Sequence, residues 1–175
     1  MKIATAIGAL VLAGLAQPAG LWLDIPFVKQ SEDGCGPAAL SMVMQYWGAH
    51  GARVAPADAA GEARIRRDLL PVAARGVRTA AMREYLGQHG FRVVVFRGEW
   101  ADLREHVSKG RPLIVLIDGG AKLLHYVVVA GVEEDGVMVN DPADRKLRAI
   151  GRAEFEKRWR AGGFWTLLAV PRPES

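Results

Sequence analysis

The chain has 175 residues, half of them hydrophobic, and its 23 basic and 19 acidic residues leave a formal net charge of +4. This composition excludes a disordered chain, and the small, dispersed positive excess does not favour a nucleic-acid-binding protein. Because the sequence contains a single cysteine, Cys35, it also excludes an intramolecular disulfide framework and a cysteine-rich zinc site.

The N-terminal segment is a short apolar run that follows a basic start and ends at Leu15. A run shorter than the roughly 20 apolar residues of a membrane span, with small residues behind it, is typical of a secretory signal peptide. We predict a signal peptide over residues 1–19, with cleavage near Ala16 or Ala19. An exported protein, periplasmic or extracellular, follows from this prediction, and no stable membrane span is expected unless the segment is retained.

Residues 20–175 are predicted to form a single domain, because their number suffices for one substantial core. The first half of this domain is predicted to be helical. A glycine-rich turn leads into the first helix, whose apolar residues recur at helical spacing and define one buried face. The predicted helices of this half run from Cys35 to about Gly48, from about Pro56 to Leu70, and from the N-cap Thr79 to Gln88.

The second half of the domain contains β-branched and aromatic runs, which are typical of strands. The Asp135-Gly136 pair favours a tight hairpin between two of these runs. We therefore expect an α+β fold in which N-terminal helices pack on an antiparallel β-sheet. The predicted strands cover residues 91–96, 113–117, 125–130, 137–140 and 164–170, and the predicted helices cover residues 100–109 and 153–160.

Cys35 lies at the start of the first predicted helix, where a nucleophilic thiol is activated. Backbone N–H groups and the positive end of the helix dipole lie next to the sulfur, so they favour the thiolate and lower its pKa. The structural alternative is a small buried cysteine, which gains nothing from this position. The sequence therefore points to a reactive thiol.

Catalysis by a thiol also needs a base, a group that orients the base, and an oxyanion donor. His125 begins a strand that the hairpin pairs with the strand leading to Asp141, so we expect both side chains near the same edge of the sheet. Asp141 then orients the imidazole, with Asn140 as the nearest substitute. Gln30 is expected to turn its amide toward the site, where it and the backbone N–H of Cys35 stabilise the oxyanion.

Three separated motifs resemble one known family. In order along the chain they are Gln30 with Asp33-Gly34-Cys35-Gly36-Pro37-Ala38-Ala39-Leu40, then His125-Tyr126-Val127-Val128-Val129, and then Asn140-Asp141-Pro142. Together they are similar to the bacteriocin-processing cysteine peptidases, which are the double-glycine peptidases of cysteine peptidase family thirty-nine. The resemblance covers about Ile25 to Val170 and implies a papain-like fold.

The resemblance implies a role for each candidate residue. Cys35 is the nucleophile, His125 the general base and acid, Asp141 the orienting residue, and Gln30 the oxyanion donor. The implied partner is a peptide or protein substrate, cut after a Gly-Gly or Gly-Ala pair, with no nucleic acid and no metal or organic cofactor. Family members that process leaders commonly carry Asp immediately before the cysteine, whereas Gly34 stands there in this chain.

Two other functions stay open at this point. An acyl transferase or a cell-wall peptide amidase would use the same residues on a related scaffold. A non-catalytic module that binds leader peptides would keep the fold, but it has no physical need for a thiol, an imidazole and a carboxylate together. The sequence leaves the substrate and the oligomeric state undetermined.

Overall fold

A computed structural model describes residues 21–52, 57–70, 76–121 and 123–173. The predicted signal peptide, residues 1–19, lies outside the described residues. None of the helices in the described ranges is both long enough and apolar enough to cross a membrane. In chain order the elements are β1 (Leu21–Trp22), α1 (Cys35–Ala49), a 3-10 helix (Ala57–Ala60), α2 (Glu62–Leu69), α3 (Thr79–Gln88), β2 (Phe91–Arg97), α4 (Trp100–Ser108), β3 (Leu113–Gly120), β4 (Leu123–Val132), β5 (Gly136–Asn140), β6 (Arg148–Gly151), α5 (Arg152–Ala161) and β7 (Trp165–Pro171).

The strands form one antiparallel sheet with the order β2-β7-β3-β4-β5-β6, and β1 pairs with the C-terminal end of β4. The predicted hairpin joins β4 to β5, and the pairing ends where Val128 lies opposite Asn140. Strand β4 begins five residues earlier, at Leu123, and this part pairs with β3 only. One edge of β4 is therefore open beside residues 123–127.

Helices cover both faces of this sheet. The side chains of Tyr126, Val128 and Ala130 pack in a core with α1, α2 and α3. Those of Val127 and Val129, on the opposite face, pack in a second core with α4 and α5. Burial on both faces explains why β4 is a continuous apolar run without polar alternation. The predicted α+β class, with N-terminal helices packed on an antiparallel sheet, is confirmed. The structure adds a second helical layer, formed by α4 and α5, on the opposite face of the sheet.

Most predicted elements agree with the structure to within one to three residues, but the helix predicted from about Pro56 to Leu70 is interrupted, and only its second half, Glu62–Leu69, is an α-helix. Gly61 adopts an extended conformation, with φ −73° and ψ 131°, so it separates the 3-10 helix from α2. Pro56 lies outside the described residues. Thr79 is the first residue of α3 and not its cap, because Arg78 occupies the extended cap position. The short strand β6 was not predicted.

Candidate active site

A hydrogen bond between two side chains, one in the turn before α1 and one at the start of α2, stabilises this turn. The Ser31 hydroxyl donates a hydrogen bond of 2.6 Å to Glu62 Oε1. A Cβ at Gly34 would lie 2.9 Å from Ser31 Oγ and 3.0 Å from that carboxylate oxygen. Asp33 adopts the left-handed conformation, with φ 55°. The space at position 34 is thus filled by neighbours, which explains why glycine precedes Cys35.

The N-terminus of α1 presents uncapped backbone N–H groups to the sulfur. Its cap position makes no side-chain hydrogen bond, and its first turn carries no acidic residue. The backbone N–H groups of Gly36 and Tyr126 both hydrogen-bond to the Cys35 thiol. A Cβ at Gly36 would lie 3.1 Å from Val77 Cβ and 3.7 Å from Tyr126 Cδ2. Glycine at this position therefore lets the first turn of the helix pack closely against Val77, with Tyr126 at ordinary contact distance.

His125 lies between Cys35 and Asp141. Its Nε2 lies 2.6 Å from Asp141 Oδ1, which leaves Nδ1 for the hydrogen bond between the imidazole and the Cys35 thiol. The His125 and Asp141 side chains are 13% and 3% exposed. The ladder between β4 and β5 ends at the pair Val128–Asn140, and His125 and Asp141 lie beyond this end of the ladder. The predicted hairpin therefore brings these two side chains together.

Three coupled pKa shifts describe the electrostatics of the site. Burial raises the pKa of the Cys35 thiol, but hydrogen bonds with His125 and the Tyr126 backbone outweigh this effect, so the pKa of the thiol lies below its ordinary value. Burial lowers the pKa of His125, but hydrogen bonds to Asp141 and Cys35 raise it to about 9. Burial raises the pKa of Asp141, yet its hydrogen bond from His125 lowers it to about 2. These directions favour the ion pair of a thiolate and an imidazolium.

Asp141 has two further partners that the sequence did not reveal. The backbone N–H of Ala143 donates to Oδ1 at 3.1 Å, and Nη1 of Arg148 donates to Oδ2 at 2.9 Å. Arg148 begins β6, which was missed because four residues are too few for an alternating pattern to be recognised. The only available signal was an arginine seven residues after the candidate carboxylate.

Asn140, the predicted substitute for Asp141, has a different place in the structure. It is fully buried, and its side chain bonds to backbone groups of two other segments. Its Nδ2 donates to the Ile25 carbonyl at 3.1 Å, and its Oδ1 accepts the Leu147 N–H at 3.0 Å. Asn140 therefore ties three chain segments together beneath the site, and Asp141 alone of the two contacts the imidazole.

Gln30 is anchored to the same turn as Asp141. Its backbone N–H donates to the Pro142 carbonyl at 2.9 Å. Its Oε1 is buried and has no hydrogen-bond partner among the described residues. Within these residues the Gln30 side chain makes no hydrogen bond to Cys35 or His125. The structure thus brings Gln30 to the turn beside the triad, without a direct side-chain contact.

Gly119 lies directly against the imidazole-bearing residue. The sequence suggested a loop over residues 118–121 that either borders the cleft or simply connects two strands. In the structure β3 continues to Gly120, with an irregularity of register at Gly119. A Cβ at Gly119 would lie 2.8 Å from His125 Cβ. This segment therefore packs behind His125.

Across the described ranges, no group of three or more His, Cys, Asp or Glu side chains has the arrangement to hold a metal ion. A thiolate, an imidazolium and a carboxylate in line, beside helix N–H groups, can carry out nucleophilic attack, proton transfer and oxyanion stabilisation.

Comparison with known proteins gives consistent results. The model of the Peptidase_C39 like family matches residues 22–166. The Lactococcin-G-processing and transport ATP-binding protein LagD of Lactococcus lactis is 27% identical over 149 residues, which are 84% of this chain and 18% of LagD. The chain spans about a fifth of the length of the curated relatives it matches.

Solved structures share the fold. A C39-like peptidase from Bacillus anthracis superposes with a TM-score of 0.71 at 17% identity, covering 90% of this chain and all of that one. A double-glycine-motif protease from an AMS/PCAT transporter, solved in complex with the leader peptide, gives a TM-score of 0.63 at 22% identity, covering 86% of this chain and 94% of that one. These likenesses confirm the predicted fold class.

The relatives contradict the predicted location. LagD is a processing and transport ATP-binding protein, and the second solved structure is the protease of a transporter. A peptidase joined to an ATP-driven transporter meets its peptide on the side of the membrane that supplies ATP, before export. The prediction that the chain is exported, periplasmic or extracellular is therefore wrong. That prediction rested on the hydropathy of the segment after Met1, and this pattern alone does not establish the compartment in which the active site meets its peptide.

Proposed function

Since the chain belongs to the Peptidase_C39 like family and is a cysteine peptidase, we propose that Cys35, His125 and Asp141 are its catalytic triad and that it cleaves leader peptides after a Gly-Gly pair. The observation that carries this proposal is the chain of contacts from the thiol through the imidazole to the buried carboxylate. A non-catalytic module would have no use for a thiol whose pKa is lowered and an imidazole whose pKa is raised.

The reaction begins with attack of the Cys35 thiolate on the carbonyl carbon of the scissile bond. The carbonyl oxygen becomes an oxyanion as the carbon–sulfur bond forms. The imidazolium of His125 then gives its proton to the leaving amine, the carbon–nitrogen bond breaks, and a thioester on Cys35 remains. Neutral His125 next removes a proton from water, the hydroxide attacks the thioester, and the thiolate leaves.

Asp141 keeps the imidazole in one orientation through both steps. Its Oδ1 accepts a hydrogen bond from the Nε2–H of His125, so Nδ1 stays directed at the sulfur and at the leaving amine. A carboxylate in this position also stabilises the imidazolium that forms the ion pair with the thiolate. The low pKa of Asp141, about 2, keeps it ionised throughout the physiological range.

Oxyanion stabilisation is assigned to the backbone N–H of Cys35 and to the side-chain amide of Gln30. Helix N–H groups at the start of α1 are directed toward the site, and no side chain caps them. Gln30 is held beside the triad by its bond to Pro142, and its amide oxygen has no partner in the described residues. Its side chain is therefore available to turn its N–H toward the oxyanion when substrate binds.

The proposed substrate class follows from the relatives. LagD processes lactococcin G, and the AMS/PCAT protease acts on a double-glycine motif. A peptide or protein with a leader that ends in Gly-Gly is accordingly the substrate to test. The acyl-enzyme, the cleavage site and the assignment of catalytic roles are parts of this proposal.

The experiment uses a synthetic peptide with a Gly-Gly leader junction and a matched peptide in which both glycines are replaced by valine. Under reducing conditions the native protein should release the leader ending in the second glycine, as mass spectrometry of the products would show. The Cys35→Ala protein, which has no thiol, should release nothing. The valine peptide should stay intact.

Four results would count against the proposal. An uncut Gly-Gly peptide, in the presence of an alkylatable Cys35, argues against a double-glycine peptidase. A product joined to an added amine indicates acyl transfer, and preferential cleavage of wall peptides indicates an amidase. Rapid quenching of the native reaction should also give a protein mass increased by the acyl group, and its absence at every time point argues against the thioester.

A further inference from the structure

The Asp141 carboxylate is held at both oxygens by different groups. Oδ1 accepts hydrogen bonds from His125 Nε2 at 2.6 Å and from the Ala143 N–H at 3.1 Å, whereas Oδ2 accepts one from Arg148 Nη1 at 2.9 Å. The Asp141 side chain is only 3% exposed, so solvent has little access to either oxygen. Among the described residues, Arg148 is the one side chain that binds Oδ2.

We propose that Arg148 is a positioning residue of the peptidase, which holds the Asp141 carboxylate in the plane that presents Oδ1 to His125. The torsion that rotates a carboxylate about its Cβ–Cγ bond is broad and soft, so it needs an outside constraint. Two donors on Oδ1 fix one point of the group. The third donor, on Oδ2, fixes the plane. This inference deepens the proposed function and rests on it.

Strand pairing explains how Arg148 reaches this position. Arg148 lies directly opposite Val139 in the ladder between β5 and β6. Asp141 is the first residue after β5 and follows Val139 by two residues, so the alternation of side chains along extended backbone places the two on the same face. Arg148 is thus the diagonal neighbour of Asp141 across the ladder, within reach for a long side chain. The register of β6 therefore sets the orientation of the carboxylate.

The guanidinium faces water on its other side. Arg148 is 33% exposed and lines a cavity of about 540 Å³ between α5 and the ends of β3 and β6. If its side chain is removed, water from the cavity can reach Asp141. The carboxylate is then solvated, so the variant avoids the cost of a buried charge without a partner. The other charged groups that face Arg148 are Asp144, whose carboxylate lies 3.6 Å from Nε, and Asp118, Glu154, Lys157 and Arg158 around the cavity.

The test compares Arg148→Ala with Arg145→Ala. Arg145 is in the same turn, and its side chain is 67% exposed with one long ion pair to Asp144 at 3.7 Å, so its loss removes equal charge without touching Asp141. Because a misplacement of about 1 Å can cost about 100-fold in rate, we expect Arg148→Ala to lower kcat about 10 to 100-fold. KM for the Gly-Gly peptide should change little. Arg145→Ala should retain native kinetics.

Two readouts separate positioning from general support of the fold. Methylguanidinium, which fits the space left in the cavity, should restore part of the kcat of Arg148→Ala and none in Arg145→Ala. The pH profile of Cys35 alkylation by iodoacetamide should also move to higher pH in Arg148→Ala, because a carboxylate that is held less firmly stabilises the imidazolium less. Loss of a positive charge alone would also raise the pKa of the thiol, so the equal charge removal in Arg145→Ala, whose profile should stay unmoved, separates positioning from charge.

The results that overturn the inference are distinct from those that overturn the proposed function. Native kcat and an unmoved alkylation profile in Arg148→Ala, a profile moved to lower pH, or an equal loss in Arg145→Ala would each refute it. The alkylation profile needs no substrate, so it tests the inference even if no Gly-Gly peptide is cut. If Arg148→Ala does not fold, Arg148→Met keeps the aliphatic part, and the same shift to higher pH is expected of it.

Discussion

Replacement of Gly119 by alanine should damage catalysis by displacing His125. The new Cβ would lie 2.8 Å from His125 Cβ, which is 0.6 Å short of the 3.4 Å at which ordinary contacts begin, and 3.2 Å from the Leu123 carbonyl oxygen. Neither neighbour is the end of a flexible side chain, so the strand must move. A displacement of this size lengthens the 2.6 Å hydrogen bond between His125 and Asp141. We expect kcat to fall about 10 to 100-fold, with KM nearly unchanged.

The assay is steady-state cleavage of the Gly-Gly peptide, combined with the pH profile of Cys35 alkylation and thermal unfolding. Gly120→Ala is the matched control: Gly120 has φ +94°, but a Cβ there has no neighbour within 4 Å. The control should lose about 1–2 kcal/mol of stability through backbone strain and keep its kcat. The reasoning is refuted if Gly119→Ala keeps native kcat and an unmoved alkylation profile, or if both variants lose the same activity.

Three further predictions concern ionisation and burial. Alkylation of Cys35 should be fast well below pH 8.5 and should lose that advantage in His125→Ala; equal profiles for the two proteins would contradict an activated pair. Because the pKa of Asp141 falls from 3.8 to about 2 on folding, its contribution to stability is present above pH 3.8 and is lost as the pH falls through about 2. Urea unfolding should therefore show a smaller loss of stability between pH 4 and pH 2 in Asp141→Asn than in the native protein, and parallel losses would refute the shift. Asn140→Ala should lower the free energy of unfolding by about 2–4 kcal/mol, because it leaves the buried Ile25 carbonyl and the half-buried Leu147 N–H unpaired; native stability would contradict this.

The position of Cys35 at a helix start and the contact between His125 and Asp141 were predictable because their signals are local. A glycine before and after Cys35, with Pro37 in the first turn, marks a helix start within a few residues. The pair Asp135-Gly136 specifies a hairpin, and a hairpin fixes which residues of its two strands become neighbours. The proximity of His125 and Asp141 follows from that register.

The rest of the site depends on contacts between distant segments, which single-sequence patterns do not report. Arg148 reaches Asp141 only because β6 pairs in one register with β5. Glu62 supports the turn before Cys35 across 31 residues through its bond to Ser31. Gly119 looked like part of a connecting loop, because nothing in its neighbourhood indicates how near the next strand would pass.

The position of strand β7 in the sheet affects how the chain folds during its synthesis. It lies between β2 and β3 in the sheet, so the last described strand in chain order is inserted between two strands that are synthesised long before it. On the ribosome, β2 and β3 have no partner on the sides that β7 will occupy, and the sheet cannot close until residues 165–171 emerge. Such long-range pairing makes folding slow and leaves strand edges exposed meanwhile. The thiol at residue 35 therefore leaves the ribosome far ahead of the structure that activates it, so the nascent chain carries an unactivated cysteine until synthesis of the domain is nearly complete.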